Sequence, residues 1–403
     1  MSRYDFGVLR DLKVISAGSA LAGPYPCALF SEMGADVIHV ESSKNPDFLR
    51  NYGRTNFWPT EHRNQRGISL DIPSERGREI LFRLLKDTDI LVESSKGGTW
   101  AKWGLTDEVL WEHNPKLVIL HVSGYGQSGD PDFVFQPSYD PVGQAFSGYP
   151  NLSGEADGPP MLTKSSACDF VTGLFGAWST LAAYIRVQKT GKGESIDLAQ
   201  YEAMLRITDF SLFEALNYGT EPTRFGNGDP DIANDTIYRC KDGWVLIIVT
   251  GATLNRKAVK LFGLENDPDF QEPLPHVISR KNESAAAKWL KAHRDLCASH
   301  TTDEIDKLFR EAGLPVAKVI KHTEMATHPH YIARQNFVEW HDAEKGKVKG
   351  TAPIPKFKRE PGKIVTGSPK YSQHTEEVLA ELGYTKDEIE NFYEGGIVKR
   401  FKE

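Results

Sequence analysis

The chain has 403 residues, 39% hydrophobic and 26% charged, enough apolar material for one large domain plus a smaller one. With 48 basic and 55 acidic residues its formal charge is -7, which excludes a general nucleic-acid binder, because such a protein needs a basic face to displace counterions. No apolar run reaches the ~20 residues of a membrane span; the richest, 170–187, is interrupted by Gly173, Gly176, Ser179, Thr180 and Arg186 and reads as a buried helix.

The opening residues 1–6 lack the apolar centre of a signal peptide. Residues 12–16 form a short strand pattern, followed by Gly and Pro, a helical stretch with Ala28, Leu29 and Met33 on one face, and a second strand over 37–41. Ser74-Glu75 starts a helix whose Ile80, Leu81, Leu84 and Leu85 share a face, and 90–93 is the next strand. Residues 117–123 are apolar enough to lie inside a parallel sheet. This alternation predicts an α/β, Rossmann-like large domain with its ligand crevice at the carboxyl ends of the strands. Breaker-rich segments at 219–222 and 226–230 introduce a second unit. There, two strands around Asp242-Gly243 and helices near 255–262, 285–293 and 302–312 predict a smaller α+β domain over 218–329.

The sharpest local feature is Asp169, in the run Lys164-Ser165-Ser166-Ala167-Cys168-Asp169-Phe170, directly ahead of a small-residue apolar helix. Two roles fit it: a cap for the unpaired N–H groups of the helix's first turn, where the dipole favours negative charge, or a nucleophile. The loop 18–24 follows a strand and precedes a helix, the setting for phosphate binding by backbone N–H groups, but lacks GxGxxG spacing. Gly124-x-Gly126-x-x-Gly129 has that spacing, yet Asp130-Pro131-Asp132 follows in place of a helix, so the segment reads as a loop and Glu41 as an ordinary polar strand end. The absence of HExxH, CxxC and GxSxG removes the simplest metal and hydrolase sites. Four cysteines without paired spacing fit a reducing cytoplasm, and Cys168 reads as a small buried hydrophobe. Trp100 and Trp103 offer an aromatic box for a quaternary ammonium group, although packing is the commoner fate of tryptophan.

Further motifs run through nearly the whole chain: Ala22-Gly23-Pro24, Gly34-Ala35-Asp36-Val37-Ile38-His39-Val40-Glu41, Glu93-Ser94-Ser95-Lys96-Gly97, Ser123-Gly124-Tyr125-Gly126-Gln127, and Thr190-Gly191-Lys192-Gly193-Glu194. With Asp169 in its setting, they make the chain similar to the CaiB/BaiF (class III) CoA-transferases, nearest the carnitine and bile-acid CoA-transferase branches. The resemblance implies that Asp169 is the nucleophile and that Lys96, Lys102 and Arg66 contact CoA. Lys102 stands where many members carry an arginine, so it keeps the charge without the bidentate fork. The resemblance also implies a discontinuous large domain, 1–217 with 330–403, and a homodimer of interlocked subunits.

The activity so implied moves CoA from an acyl-CoA thioester to a free carboxylic acid through an aspartyl anhydride and an aspartyl-CoA thioester. CoA is then a substrate, with no permanently bound cofactor, no metal, and no nucleic-acid or membrane partner. The first expectation for the acid is L-carnitine, γ-butyrobetaine or crotonobetaine, with bile acids and other small acids behind. One alternative is an α-methylacyl-CoA racemase, similar in fold, but racemases carry Gly-His-Asp where this chain reads Ser138-Tyr139-Asp140, and a tyrosine gives up its proton only near pKa ~10. Another is a non-catalytic acyl-CoA-binding protein, against which the intact Asp169 argues.

Overall fold

The computed structural model describes residues 3–50 and 56–402, so Met1 and Ser2 lie outside it. The chain divides into two compact units: Met1–Tyr149, Thr163–Asp209 and His330–Glu403 form one, Pro150–Leu162 and Phe210–Pro329 the other. The larger is built on a parallel six-stranded sheet of β1 (Lys13–Ala17), β2 (Asp36–Ser42), β3 (Arg66–Leu70), β4 (Ile90–Glu93), β5 (Val118–Ser123) and β6 (Glu194–Ala199), in the order β3-β2-β1-β4-β5-β6. Every residue of β4 and β5 is buried, as central strands covered on both faces require. The chain runs outward from β1 to β3 and then returns to β4 on the other side of β1. The crevice between the ends of β1 and β4 is therefore the topological switch point, where ligands bind in such sheets.

Two strands lack the periodicity that would reveal them. β3 reads Arg-Gly-Ile-Ser-Leu and all five residues are buried, because the C-terminal segment lies on it: His374 N–H donates to the Gly67 carbonyl and Ser69 N–H to Thr375 Oγ1. β6 mixes Glu, Ser and Asp with Ile and Leu, which suits its place at the sheet edge.

The helices that position the site are α1 (Pro24–Glu32), α2 (Glu75–Leu85), α3 (Asp140–Phe146), α4 (Ala167–Thr190) and α5 (Gln200–Leu205). α2 starts where its cap predicts: Ser74 Oγ accepts the Gly77 N–H, and Ile80, Leu81, Leu84 and Leu85 are buried. α4 departs from the expected buried helix. Its small residues allow close packing, since a Cβ at Gly173 would stand 2.7 Å from the Tyr25 ring and one at Gly176 2.9 Å from Leu120. Its opposite face leaves Leu174, Trp178 and Ile185 51%, 60% and 59% exposed. By length and composition alone α4 could cross a membrane, but its glycine face packed on Leu120 of the sheet is that of a core helix.

The smaller unit holds an antiparallel sheet of β7 (Ile237–Arg239), β8 (Trp244–Ile247) and β9 (Val316–Lys318), with helices Ala252–Leu261, Glu283–Ala298 and Thr302–Glu311 around one apolar core. Its membership differs from 218–329 by taking in Phe210–Asn217 and Pro150–Leu162; the latter is held by the Gly226 N–H donating to the Gly154 carbonyl.

Candidate active site

Asp169 lies in the first turn of α4, three residues past Ser166, yet it does not cap that helix. The first-turn N–H groups of Cys168 and Asp169 donate instead to Asp140 Oδ1, at 2.7 and 3.3 Å. Asp140 comes from the head of α3, 29 residues earlier than Asp169. α3 can approach because it carries Gly143, where a Cβ would stand 2.7 Å from Cys168 Sγ. With capping assigned to Asp140, the Asp169 carboxylate is free to face the crevice. One oxygen, Oδ1, accepts a 2.6 Å hydrogen bond from Gln200 Nε2, at the start of α5 just past β6. Ahead of α4, Ser165 and Ser166 both sit in the left-handed region, φ 65° and 53°, at a cost of order 1 kcal/mol each. That turn sets Asp169 at the mouth of the site.

Burial raises the Asp169 carboxyl to about 7, the nearby Asp140 charge adds to the rise, and the Gln200 hydrogen bond opposes it. A carboxylate held this way is a stronger base and nucleophile than a solvated one, while remaining ionised in much of the population near neutrality. Cys168, next to it, is buried and its thiol is pushed up to about 12, first by desolvation and then by the Asp169 and Asp140 charges, so it holds its proton.

The carboxylate opens into a cavity of about 300 Å³ at the carboxyl ends of β1, β4, β5 and β6. Ser19, Ser94, Lys96, Gly124, Tyr139 and Gln200 are among its walls. Close approach of the loops depends on glycine: a Cβ at Gly23 would meet Ser94 Cβ at 2.5 Å, and one at Gly124 would meet Ser138 Cβ at 2.2 Å. The loop 18–24 does not offer a free row of N–H groups, because Ser19 N–H donates to Ser94 Oγ and Ala20 N–H to Asp47 Oδ2. A second cavity, of about 500 Å³, shares Ser19, Phe48 and Ser95 with the first and extends toward β2 and β3.

Of the cations singled out by resemblance, Lys96 lines the Asp169 cavity. Lys102 is exposed at the end of the short helix Thr99–Lys102, its Nζ 5.1 Å from the Phe135 ring centroid, and lines neither of these cavities. Arg66 belongs elsewhere. It opens β3 at the amino edge of the sheet, away from the crevice, and its buried guanidinium pairs with Asp36 at 2.8 Å, Glu381 at 2.7 Å and Glu377 at 3.4 Å. Three carboxylates of the chain itself thus surround its one fork.

Other expectations need amendment. Glu41 is not an ordinary strand end: it is buried, takes both prongs of Arg50 at 2.8 and 2.6 Å, and accepts the Asp47 N–H. Arg50 in turn stacks on Trp58 at 3.7 Å. The Gly124–Gly129 segment is a loop, followed by the single helical turn Pro131–Val134 rather than a phosphate-binding helix. Trp100 is buried in the core beside α2, so Trp100 and Trp103 do not form an open aromatic box.

The residues that sequence reasoning missed are Gln200, Asp140 and Glu93. Gln200 is detectable only as a polar side chain directly after a strand of the sheet; Asp140 carries a trace of its capping role in the Asp140-Pro141 helix start. Glu93 closes β4, with one oxygen accepting the Ser95 N–H at 2.7 Å and the other bound to His121 Nδ1 at 2.8 Å. His121 Nε2 meets Asp107 at 2.9 Å, and these hydrogen bonds and charges outweigh burial to hold the imidazole up to about 9. Glu93 is therefore a brace for the Ser94–Lys96 turn.

Comparison with known proteins agrees with this arrangement. The sequence pattern of CoA-transferase family III matches residues 9–375. The chain is 43% identical over 407 aligned residues to bile acid CoA-transferase BaiK of Clostridium scindens, covering 98% of this chain and 90% of that protein. Among solved structures, a CaiB/BaiF family protein from Brucella suis superposes with a TM-score of 0.80 at 27% identity, over 94% of this chain and all of that one. Rv3272 from Mycobacterium tuberculosis shares the fold, at TM-score 0.77 and 20% identity over 93% of this chain and 99% of its own. A family pattern spanning nine-tenths of the chain, on a fold shared with CaiB/BaiF proteins, makes this protein an enzyme of CoA-transferase family III.

Proposed function

We propose that Asp169 is the nucleophile of a CoA transfer between carboxylic acids. The observation that carries this reading is its release from capping: Asp140 satisfies the first turn of α4, and Asp169 faces a cavity at the switch point with only Gln200 bound to it among the described residues. Its Oδ2 attacks the thioester carbonyl of the donor, forming an acyl-aspartyl anhydride and a CoA thiolate. The thiolate then attacks the aspartyl carbonyl, releasing the donor acid and leaving an aspartyl-CoA thioester. The acceptor carboxylate displaces CoA to form a second anhydride, and the thiolate attacks its acyl carbonyl to give product and regenerate Asp169. Each exchange conserves the activated acyl bond.

For the acceptor, the reading favoured over carnitine, γ-butyrobetaine or crotonobetaine is a bulky apolar acid of the bile-acid class. BaiK supports it, and so does Tyr139, an aromatic wall of the cavity that is 60% exposed. A trimethylammonium acid would call for a cation cage, which the buried Trp100 does not supply. The racemase alternative suffers from Tyr139 standing in the base position. The exposed Leu174–Trp178–Ile185 stripe of α4 supports a homodimer, and four buried, unpaired cysteines support a reducing cytoplasm.

Intact-protein mass spectrometry after incubation with a bile-acyl-CoA and with γ-butyrobetainyl-CoA, followed by hydroxylamine trapping and peptide mapping, tests this directly. A hydroxamate on Asp169 with the bile-acyl donor is expected. Trapping with the betaine alone would restore the carnitine reading, and no adduct with either, in a protein that binds CoA, would overturn the nucleophile.

A further inference from the structure

Asp140 frees Asp169 from capping only while its own carboxylate holds still, and the χ2 torsion of an aspartate is soft. Its Oδ1 is taken by the Cys168 and Asp169 N–H groups. Its Oδ2 accepts a 2.8 Å hydrogen bond from Gln144 Nε2, one turn further along α3. With both oxygens engaged, the carboxylate cannot rotate without breaking a hydrogen bond.

Gln144 also holds the other end of the turn that leads into α4. Its Nε2 donates to the Thr163 carbonyl at 2.9 Å and its Oε1 accepts the Thr163 N–H at 3.0 Å, so the amide pairs with Thr163 as a second peptide unit would. Residues 163–165 are exposed, and Ser165 and Ser166 keep their left-handed conformation only because the surroundings impose it. Gln144 itself is fully buried, with partners for its amide nitrogen and its oxygen. One side chain thereby fastens residue 163 directly and residues 168 and 169 through Asp140, closing the turn at both ends. The position asks for two donors and an acceptor on one planar group, which glutamine supplies. Glutamate keeps the shape and the acceptor but has no donor when ionised, and methionine keeps the length with no donor at all.

We propose that Gln144 is a positioning residue of the transfer reaction, setting where the Asp169 carboxylate stands without touching substrate. The inference rests on Asp169 as the nucleophile and deepens that reading. Gln144 is not among the walls of the Asp169 cavity, so its effect passes through Asp140 and the 163–169 turn. A reacting group displaced by about 1 Å loses on the order of 10²-fold in rate, so a brace that fixes both ends of this turn acts on the chemical step rather than on binding.

The test is hydroxylamine trapping and peptide mapping of the wild type, Gln144→Glu and Gln144→Met with bile-acyl-CoA and with γ-butyrobetainyl-CoA, alongside steady-state kinetics, CoA titration and urea denaturation. Both variants should bind CoA and show a KM for the acyl-CoA within about twofold of wild type, yet acylate Asp169 and turn over about 30-fold more slowly. A merely structural glutamine would lower the urea midpoint and leave kcat of the folded protein alone, so a kcat within about threefold of wild type in either folded variant overturns the inference. Failure of both variants to fold overturns it too, by making Gln144 a residue of the core. A wild type in which neither donor labels Asp169 sinks the nucleophile reading itself, before any variant is compared.

Discussion

At the carboxyl edge of the sheet the large unit buries two groups of acids, and it treats them in opposite ways. Glu93 and Asp107 flank His121, which carries a proton between them and turns two costly carboxylates into a compensated brace. Asp169 and Asp140 have no cation between them: Asp140 binds helix N–H groups, Asp169 has a single amide donor, and the mutual repulsion is left standing. The first arrangement spends its charge on holding the Ser94–Lys96 turn. The second keeps a carboxylate in a state that forming a bond to an acyl carbon relieves, since esterification removes the buried charge. Stability and reactivity are thus separated between neighbouring clusters.

The sharpest way to break this comparison is to remove the uncompensated group. Asp169→Ala should lower transfer by about 10³-fold or more while CoA binding persists; single-turnover assays that retain a tenth of the wild-type rate would put the nucleophile elsewhere. Removing the brace should act on folding first. Glu93→Ala leaves the His121 imidazolium with Asp107 alone and should cost about 3 kcal/mol by urea denaturation. A loss below about 1 kcal/mol would mean the cluster is no brace.

Asp169→Asn sharpens the contrast, because removing an uncompensated buried charge should stabilise the protein by about 1–2 kcal/mol at pH 8. The sign follows from linkage. Asp169 titrates near 7 in the folded chain but near ~4 unfolded, so between those values the native state binds more protons and stability falls as pH rises. The asparagine variant should lack that decline. His121 contributes in a different window: its folded value of about 9 lies above the unfolded ~6.5, so its contribution is complete below ~6.5 and lost as pH rises through 9. Thermal melts from pH 4 to 9.5 on both proteins separate the two.

The smallest effects concern the neighbours. Gln200→Ala removes the one donor that favours the ionised form, so the pH–rate profile should move to higher pH, with a fall of about tenfold in rate near neutrality. Asp140→Asn keeps an acceptor for the first turn of α4 while deleting the repelling charge, and should move the profile to lower pH. Profiles that fail to shift in opposite directions would show that neither neighbour tunes the nucleophile.

Much of the fold and one end of the site were legible in the residues. β1, β2, β4 and β5 announce themselves as apolar runs, α2 by a serine cap and a 3.6-residue repeat, and the resemblance singled out Asp169 and Lys96 at the crevice. β3 was not legible, because its burial comes from residues some 300 positions later in the chain. The surroundings of Arg66 were hidden for the same reason: a basic residue in a basic loop gives no sign of the C-terminal acids Glu377 and Glu381 that close around it. Glu41 looked unremarkable until Arg50 folded back onto it.

What the sequence determined by itself is what short-range physics controls: strand and helix periods, caps, the places where glycine must admit a neighbour, and a net charge unsuited to nucleic acid. What the tertiary structure decided is the protonation and pairing of particular side chains, because these depend on partners brought together across tens or hundreds of residues. Asp140 and Gln200 reach Asp169 from 29 and 31 positions away, and Ser69 binds the tail across 330. Desolvation and Coulomb terms act through space rather than along the chain. The same aspartate is a helix cap or a nucleophile according to which other acid arrives first at the helix N-terminus.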